Sequence, residues 1–245
     1  MAFQKSILIC ATKIKHKTMA IKLVVFDMAG TTVEDKDNVH EALINGFKKC
    51  DYTIDREDAN TVMGIPKPVA IRTLLQKKFE VKDNLEELVT KIHAAFVNEM
   101  ISFYKTDPSV KPTKNAEATF KSLRSKGILV GIDTGFSRDI ADAIFDRLKW
   151  KENKLMDLSV TSDEVANGRP FPDMIYKAME LTGITTADEI AKVGDTIFDL
   201  KEGSSAGCKY VIGVTTGAYT REELLPEKHT HLIDDLLEVV DIVTA

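Results

Sequence analysis

The chain has 245 residues, of which 44% are hydrophobic and 29% are charged, and its formal net charge at pH 7 is −5. These values are typical of a folded protein with one ordinary domain and a smaller one, they exclude a disordered or fibrous chain, and they disfavour bulk binding to nucleic acid or to an anionic membrane. The three cysteines are isolated, with no CxxC pair or His/Cys cluster, which argues against a zinc site and a disulfide framework and favours a reducing, cytoplasmic setting.

Residues 1–18 form the first segment, an apolar run followed by positive charges. The run, at residues 6–11, is too short for a secretory signal peptide, and Lys13 and Lys15 lie on its wrong side. We therefore predict a disordered or poorly ordered leader, with Met19 as a candidate start of the functional chain. No stretch in the rest of the sequence is long and apolar enough to span a membrane.

Short apolar runs and helical periodicities alternate along most of the remaining chain. Between the later runs, apolar residues recur every three or four positions, as at Ile140, Ile144 and Leu148, which predicts helices. This alternation predicts an α/β fold with a parallel sheet that is covered by helices on both faces. The apolar runs predict strands at residues 23–26, 128–132, 156–160, 190–193 and 210–214.

One interval, residues 34–110, interrupts the alternation because it has helical periodicity and no convincing strand. Its longest apolar stripe is preceded by Asn84 and Glu87, which are spaced like a capping box. A helical insert directly after the first strand is expected to cover the C-terminal end of that strand, where ligands bind in open α/β sheets. The predicted boundaries are 35–105 for the helical insert, and 19–34 together with 106–245 for the α/β core.

Chemistry-bearing residues follow four of the predicted strands, in order along the chain. A carboxylate at the end of a buried strand suits nucleophilic attack on phosphorus, and a hydroxyl with free backbone N–H groups suits phosphoryl oxygens. A fixed cation and further carboxylates add charge neutralisation and ligands for Mg²⁺. The residues are Asp27 after the first strand, Thr134 and Gly135 after the second, Arg169 after the third, and Asp195 and Asp199 after the fourth.

The residue types suggest a role for each member of this set. Asp27 is the candidate nucleophile, and together with Asp195 and the backbone carbonyl of Ala29 it is a candidate ligand of Mg²⁺. Asp199 is expected to support the metal site by hydrogen bonding around these ligands. Arg169 is expected to pair with the phosphoryl dianion and to keep Asp27 ionised.

This ordered set resembles the haloacid dehalogenase (HAD) superfamily of aspartate-nucleophile hydrolases, over residues 22–217. The resemblance implies a Rossmann-like core, dependence on Mg²⁺, and a helical insert that is the cap of the first type, C1. In most of the superfamily the position of Ala29 holds an Asp that acts as general acid and base, which is worth about 10²–10⁴-fold in rate. A phosphate monoesterase would be handicapped without it, whereas a reaction with an otherwise activated leaving group would not.

The helical insert offers another way to activate a leaving group. Lys67 is the single charge in the stiff segment VMGIPKPVA, residues 62–70. Burial and a nearby cation would lower the pKa of Lys67 and free its amine, which can condense with a carbonyl to form an imine. A protonated imine beta to phosphorus is an electron sink, so that a C–P bond can break.

These features resemble the phosphonatase branch of the superfamily, whose motifs match the segments DMAGTT (27–32), MGIPK (63–67) and GRPFP (168–172). The resemblance implies a hydrolase that cleaves the C–P bond of a 2-oxoalkylphosphonate such as phosphonoacetaldehyde, through an aspartyl-phosphate. It also implies a homodimer formed through the cap. The implied site residues are Lys67 for the Schiff base, Thr134 and Arg169 for the phosphoryl group, and Met63, Gly135 and Arg169 for substrate binding.

Three positions depart from the phosphonatase pattern. Ala70 stands where that branch has a His, Asp37 where it has a Cys, and Phe136 where it has a Tyr. His40 is a candidate replacement for the missing His. These residues tune proton transfers and substrate contacts, so the departures leave the exact substrate open. Two alternative functions are also open, namely a HAD phosphatase acting on a small phosphate ester with a good leaving group, and a non-catalytic binder of phosphorylated metabolites.

Overall fold

Six parallel strands form one sheet in the order β3-β2-β1-β4-β5-β6 in this computed structural model, which describes residues 20–245. The leader predicted for residues 1–18 lies outside the described residues. No helix within the described part is long and apolar enough to cross a membrane. The strands are β1 (Leu23–Phe26), β2 (Leu129–Thr134), β3 (Leu158–Thr161), β4 (Ile190–Gly194), β5 (Tyr210–Val214) and β6 (His231–Ile233).

The predicted α/β fold with a parallel sheet is confirmed. Strand β1 reads LVVF and is buried along its whole length, as expected for a central strand with helices on both faces. The chain winds from β1 to one edge through β2 and β3, and then returns to build the other half from β4. The order of strands therefore reverses between β1 and β4, and ligands bind in the crevice at such a reversal.

Ten α-helices are found among the described residues. The helical insert, the name used below for α1 to α4, lies between β1 and β2. The remaining helices cover the sheet. The insert consists of α1 (Asn38–Lys48), α2 (Arg56–Asn60), α3 (Lys67–Phe79) and α4 (Leu85–Thr106), and the others are α5 (Ala116–Ser125), α6 (Arg138–Leu148), α7 (Asp173–Thr182), α8 (Ile197–Ala206), α9 (Arg221–Leu224) and α10 (Glu238–Thr244).

The long helix α4 forms where the apolar stripe predicts it, but its first turn differs from the prediction. The expected capping box is wrong, because Asn84 has a φ of 55° and its side chain makes no capping hydrogen bond. A capping residue needs an extended backbone for its side chain to reach the first turn. Glu87 instead pairs with Lys91 one turn later, at 2.6 Å.

Several sheet elements also differ from the sequence-based boundaries, among them β3, which was predicted at residues 156–160 and spans Leu158–Thr161. Strand β2 continues to Thr134, so that Asp133 and Thr134 belong to the strand and do not follow it. Strand β6 was not predicted, because its three residues are too few to give a periodic signal. It pairs with β5, and its Ile233 carbonyl accepts a hydrogen bond from the N–H of Thr215.

Candidate active site

Strands β1 and β4 bring two carboxylates together at the point where the strand order reverses. Asp27 directly follows β1, and its N–H donates a hydrogen bond to the carbonyl of Val193 in β4 at 2.9 Å. Asp195 directly follows β4 and is fully buried. Its Oδ1 accepts a hydrogen bond from the hydroxyl of Thr31 at 2.8 Å, and its Oδ2 accepts one from the N–H of Ala218 at 2.7 Å.

Asp199 joins these two carboxylates from the first turn of α8. One oxygen from each of Asp27, Asp195 and Asp199 lies within 4.8 Å of the others, and all three side chains are buried. Burial and the neighbouring carboxylates Asp27 and Asp199 raise the pKa of Asp195 well above its usual range. So much buried negative charge, carried by hard oxygen ligands, fits a divalent cation such as Mg²⁺.

Asp199 is held in place by the turn that begins α8. Its Oδ2 accepts hydrogen bonds from the N–H and the hydroxyl of Thr196, at 3.1 and 2.6 Å, while the Thr196 hydroxyl caps the helix in return. Its Oδ1 is buried without a hydrogen bond of good geometry. Asp199 can therefore act as a ligand or as a support behind the ligands.

Arg169 points inward, into a buried ionic network. Its Nη1 lies 2.6 Å from Asp27 Oδ1 and 3.1 Å from Asp199 Oδ1, and its Nε lies 3.0 Å from Glu202 Oε2. Its Nη2 donates to Asp133. Arg169 thus pairs with the candidate nucleophile and with three further carboxylates, while its predicted pairing with a phosphoryl dianion stays a prediction.

A second buried cation, Lys192 of β4, lies in the same network, and sequence reasoning gave it no role. Its Nζ pairs with Asp133, lies 3.2 Å from Asp199 Oδ1 and lies 3.1 Å from Glu202 Oε2. Burial and the Asp133 carboxylate raise the pKa of Glu202 to about 8. A lysine inside an apolar strand was the available signal, because a buried charge needs partners.

The pKa of the candidate nucleophile reflects two opposing effects. Burial raises the pKa of Asp27 to about 6, and the Arg169 guanidinium acts in the opposite direction. Arg169 thus favours the ionised form of Asp27, although burial has the larger effect. At neutral pH the carboxylate form of Asp27 still predominates.

A cavity of about 40 Å³ lies between this end of the sheet and the helical insert. A space of this size has room for a few water molecules. Of the nine predicted site residues, only Asp199 does not line it. The eight that line it are Asp27, Ala29, Met63, Lys67, Thr134, Gly135, Arg169 and Asp195.

Lys67 enters the cavity from the start of α3. Its side chain is buried, and its Nζ lies 5.8 Å from the centre of the Phe96 ring. No hydrogen bond or ion pair of Lys67 is found within residues 20–245. Burial lowers the pKa of Lys67 to about 8, against the opposing effects of the Asp35 and Asp27 carboxylates. A substantial fraction of the amine is therefore uncharged just above neutral pH.

The segment before Lys67 packs directly on the core, and glycines allow the close approach. A Cβ atom on Gly64, where φ is +88°, would lie 2.5 Å from the Thr196 hydroxyl. A Cβ atom on Gly168 would lie 2.3 Å from Pro66 Cγ. These contacts fix the start of α3 against the strand ends, and thereby keep Lys67 on the cavity.

The positions that depart from the phosphonatase pattern lie in different surroundings. Phe136 and His40 line the cavity, and His40 Nε2 lies 2.6 Å from Asn60 Oδ1. Asp37 does not line the cavity and pairs with Arg56. Ala70 is packed in the apolar interior.

Comparisons with known proteins agree with this geometry. The sequence model of the family described as haloacid dehalogenase-like hydrolase matches residues 24–213. A phosphonoacetaldehyde hydrolase of Bacillus cereus (strain AH187) is 34% identical over 209 residues, which cover 82% of this chain and 78% of that protein.

Two solved structures share the fold. A phosphonoacetaldehyde hydrolase-like protein from Oleispira antarctica has a TM-score of 0.79 at 19% identity, with 99% of this chain and 96% of that one covered. A predicted phosphoglycolate phosphatase from Haemophilus somnus 129pt has a TM-score of 0.75 at 18% identity, with 91% and 97% covered. At these identities the two structures speak for the fold alone.

Proposed function

The chain belongs to the haloacid dehalogenase-like hydrolase family, and we propose that it cleaves the C–P bond of a 2-oxoalkylphosphonate through a lysine imine and an aspartyl-phosphate. One observation carries this proposal. Lys67, which has a lowered pKa and no ion-pair partner within residues 20–245, shares a cavity with the candidate nucleophile Asp27. The position that would hold a proton-donating Asp in a phosphatase of this kind is Ala29.

The first step takes place at Lys67. Its neutral amine attacks the substrate carbonyl, one proton is taken up from solvent, water leaves, and a protonated imine forms. Thr134 and Gly135 hold the phosphoryl oxygens through a hydroxyl and a backbone N–H, and Met63 contacts the carbon chain. Arg169 balances phosphoryl charge beside Asp27.

The second step takes place at Asp27. One carboxylate oxygen attacks phosphorus, the C–P bond breaks, and its electron pair moves into the imine to leave an enamine on Lys67. Protonation of the enamine carbon and hydrolysis then release the carbonyl product and the free amine. Water cleaves the aspartyl-phosphate and returns Asp27 with inorganic phosphate.

The carboxylate cluster provides for a metal ion in this scheme. Asp27, Asp195 and Asp199, with the carbonyl of Ala29, would hold Mg²⁺. When bound, the ion supplies neutralisation of the phosphoryl oxygens. The cluster serves a phosphate ester as well as a phosphonate, so it does not choose between the two substrate classes.

A phosphatase acting on a small phosphate ester is the second candidate. Structural neighbours such as the predicted phosphoglycolate phosphatase favour it at the level of the fold, but Ala29 leaves an alkoxide leaving group without an acid. The homologous phosphonoacetaldehyde hydrolase supports the C–P reaction instead. Membership of a hydrolase family argues against the non-catalytic binder, and the homodimer through the cap stays a prediction.

Borohydride trapping tests the proposal. The protein is incubated with phosphonoacetaldehyde, reduced, digested and mapped by mass spectrometry, with Lys67→Arg as the matched control that keeps the charge. We expect a reduced adduct on Lys67 and loss of C–P cleavage in Lys67→Arg. The absence of an adduct, together with unimpaired phosphate release from simple esters by Lys67→Arg, would favour the phosphatase.

A further inference from the structure

Asp35 is a cavity-lining carboxylate that the reaction above does not use. Three carboxylates of the described residues line the cavity, and these are Asp27, Asp35 and Asp195. Asp27 is the nucleophile in the proposed reaction. Asp195 has both oxygens engaged, by Thr31 and Ala218. Asp35 is therefore the remaining carboxylate that is available to exchange protons.

The backbone before α1 fixes Asp35 in place. Its Oδ1 accepts hydrogen bonds from the N–H groups of Asn38 and Val39, at 2.8 and 3.3 Å. Its Oδ2 makes no hydrogen bond or ion pair within residues 20–245. One oxygen thus anchors the side chain at the start of α1, and the other stays free.

Three helices of the insert carry titratable groups that interact electrostatically with Asp35. They are His40 of α1, Lys67 of α3 and Tyr104 of α4. The Asp35 carboxylate opposes the burial that lowers the pKa of Lys67. Burial raises the pKa of Tyr104, and the Asp35 carboxylate adds to that effect. Two of these groups keep a buried polar atom without a hydrogen-bond partner, namely His40 Nδ1 and Tyr104 Oη.

Imine formation needs a group of this kind. The attacking amine must lose a proton, and the hydroxyl of the carbinolamine must gain one before it leaves as water. Ala29 offers no such group on the core side, and Arg169 stays protonated. A carboxylic acid can both accept and donate, and burial raises the pKa of Asp35 above its ordinary value.

We propose that Asp35 is the proton-transfer residue for imine chemistry at Lys67, an inference that rests on the function proposed above. Asp35 Oδ2 accepts the proton that the amine loses on attack, the carbinolamine oxygen takes one further proton from solvent, and Asp35 returns its proton to the resulting hydroxyl, which departs as water. The exchange leaves Asp35 in its starting state. His40 lines the same cavity, with its Nδ1 3.9 Å from Asp37 Oδ1.

The test compares Asp35→Asn with two variants of matched chemistry. Asn keeps an oxygen acceptor for the N–H groups at the start of α1, while it cannot exchange a proton. Asp35→Glu keeps the carboxylate. Asp55→Asn is the control for a helix-capping Asp outside the cavity, because Asp55 caps α2 through the N–H of Asp58. The measurements are the initial rate of borohydride trapping at Lys67 and the rate of phosphate release from p-nitrophenyl phosphate, which has no carbonyl.

We expect Asp35→Asn to slow trapping by about 10²-fold or more, the usual range for a general acid or base, and to leave p-nitrophenyl phosphate hydrolysis unchanged. Asp35→Glu should recover part of the trapping rate, and Asp55→Asn should match the wild type. Trapping by Asp35→Asn at the wild-type rate overturns the inference and leaves the proposed function standing. Equal losses in both reactions overturn it too, because they indicate a structural role. Absence of any wild-type adduct defeats the proposed function and this inference together.

Discussion

Buried cations lie on both sides of the cavity, but only the core side pairs them. Arg169 and Lys192 share a network of carboxylates there, with separations near 3 Å to Asp199 and Glu202. On the side of the helical insert, Lys67 is buried against the Phe96 ring, and the described residues supply no ion pair for it. The same kind of group is therefore a permanent charge on one side and a titratable amine on the other.

The difference shows that the surroundings of a buried cation decide whether it serves as a fixed positive charge or as a reactive amine. Paired guanidinium and ammonium groups keep their protons and can neutralise phosphoryl oxygens at any physiological pH. An unpaired buried lysine loses its proton easily because burial penalises the charged form. Reversing either arrangement by mutation tests whether these environments, and not the residue types, decide the roles.

Asp27→Asn should have the largest effect, because it removes the nucleophile, which both the core side and the insert side of the cavity serve. We expect turnover of every phosphoryl substrate to fall by about 10⁴-fold or more. Phosphate release from phosphonoacetaldehyde and from p-nitrophenyl phosphate measures it, with the exposed Asp241→Asn as control. Retention of more than a few per cent of the activity would contradict the nucleophile assignment, since a carboxamide cannot form an aspartyl-phosphate.

Lys192→Met should be next, because it breaks the core network. Removing one partner of a buried ionic network costs about 3–5 kcal/mol, since uncompensated carboxylates remain behind. Urea unfolding at pH 7 would show this as a lower free energy of unfolding. A variant as stable as the wild type would mean that Arg169 alone compensates the Asp133 and Asp199 carboxylates, and that Lys192 is not needed to balance their charge.

These two residues also show how far sequence reasoning reaches. Asp27 and its companions were predicted because parallel strands end at one edge, so that order along the chain gives proximity in space. The links between Lys192, Asp133 and Glu202 were not predicted, because pairing between distant positions depends on how α8 packs on the sheet. The capping box at Asn84 failed for a related reason, since its spacing alone does not determine the backbone φ.

Lys67→Met should have a smaller effect of opposite sign to Lys192→Met. Burial lowers the pKa of Lys67 from 10.5 to about 8, so the charged lysine destabilises the fold below pH 8. Each unit is worth about 1.36 kcal/mol, so Met should raise the free energy of unfolding by about 1–3 kcal/mol at pH 7.

The pH dependence of Lys67→Met gives the sign check. Between pH 8 and pH 10.5 the unfolded state binds more protons at Lys67 than the folded state, so wild-type stability rises with pH. The advantage of Met should therefore shrink across that window in urea titrations. An advantage that stays constant with pH would show that the burial of charge at Lys67 is not its cause.

Ala29→Asp should have the smallest effect, and it compares the core side of the cavity with the insert side in a single variant. It restores an acid to the core side, where the leaving group of a phosphate ester departs, and leaves Lys67 untouched. We expect hydrolysis of an alkyl phosphate to rise by about tenfold, below the usual 10²–10⁴-fold for a general acid, because nothing in the cavity orients the new carboxyl and three carboxylates already line it. C–P cleavage should not rise, since the imine already accepts the electron pair. Ala29→Asn is the control, because its side chain has the same size and cannot act as an acid. An equal rate gain in Ala29→Asn, or a gain in C–P cleavage by Ala29→Asp, would show that the missing acid is not what distinguishes this chain from a phosphatase.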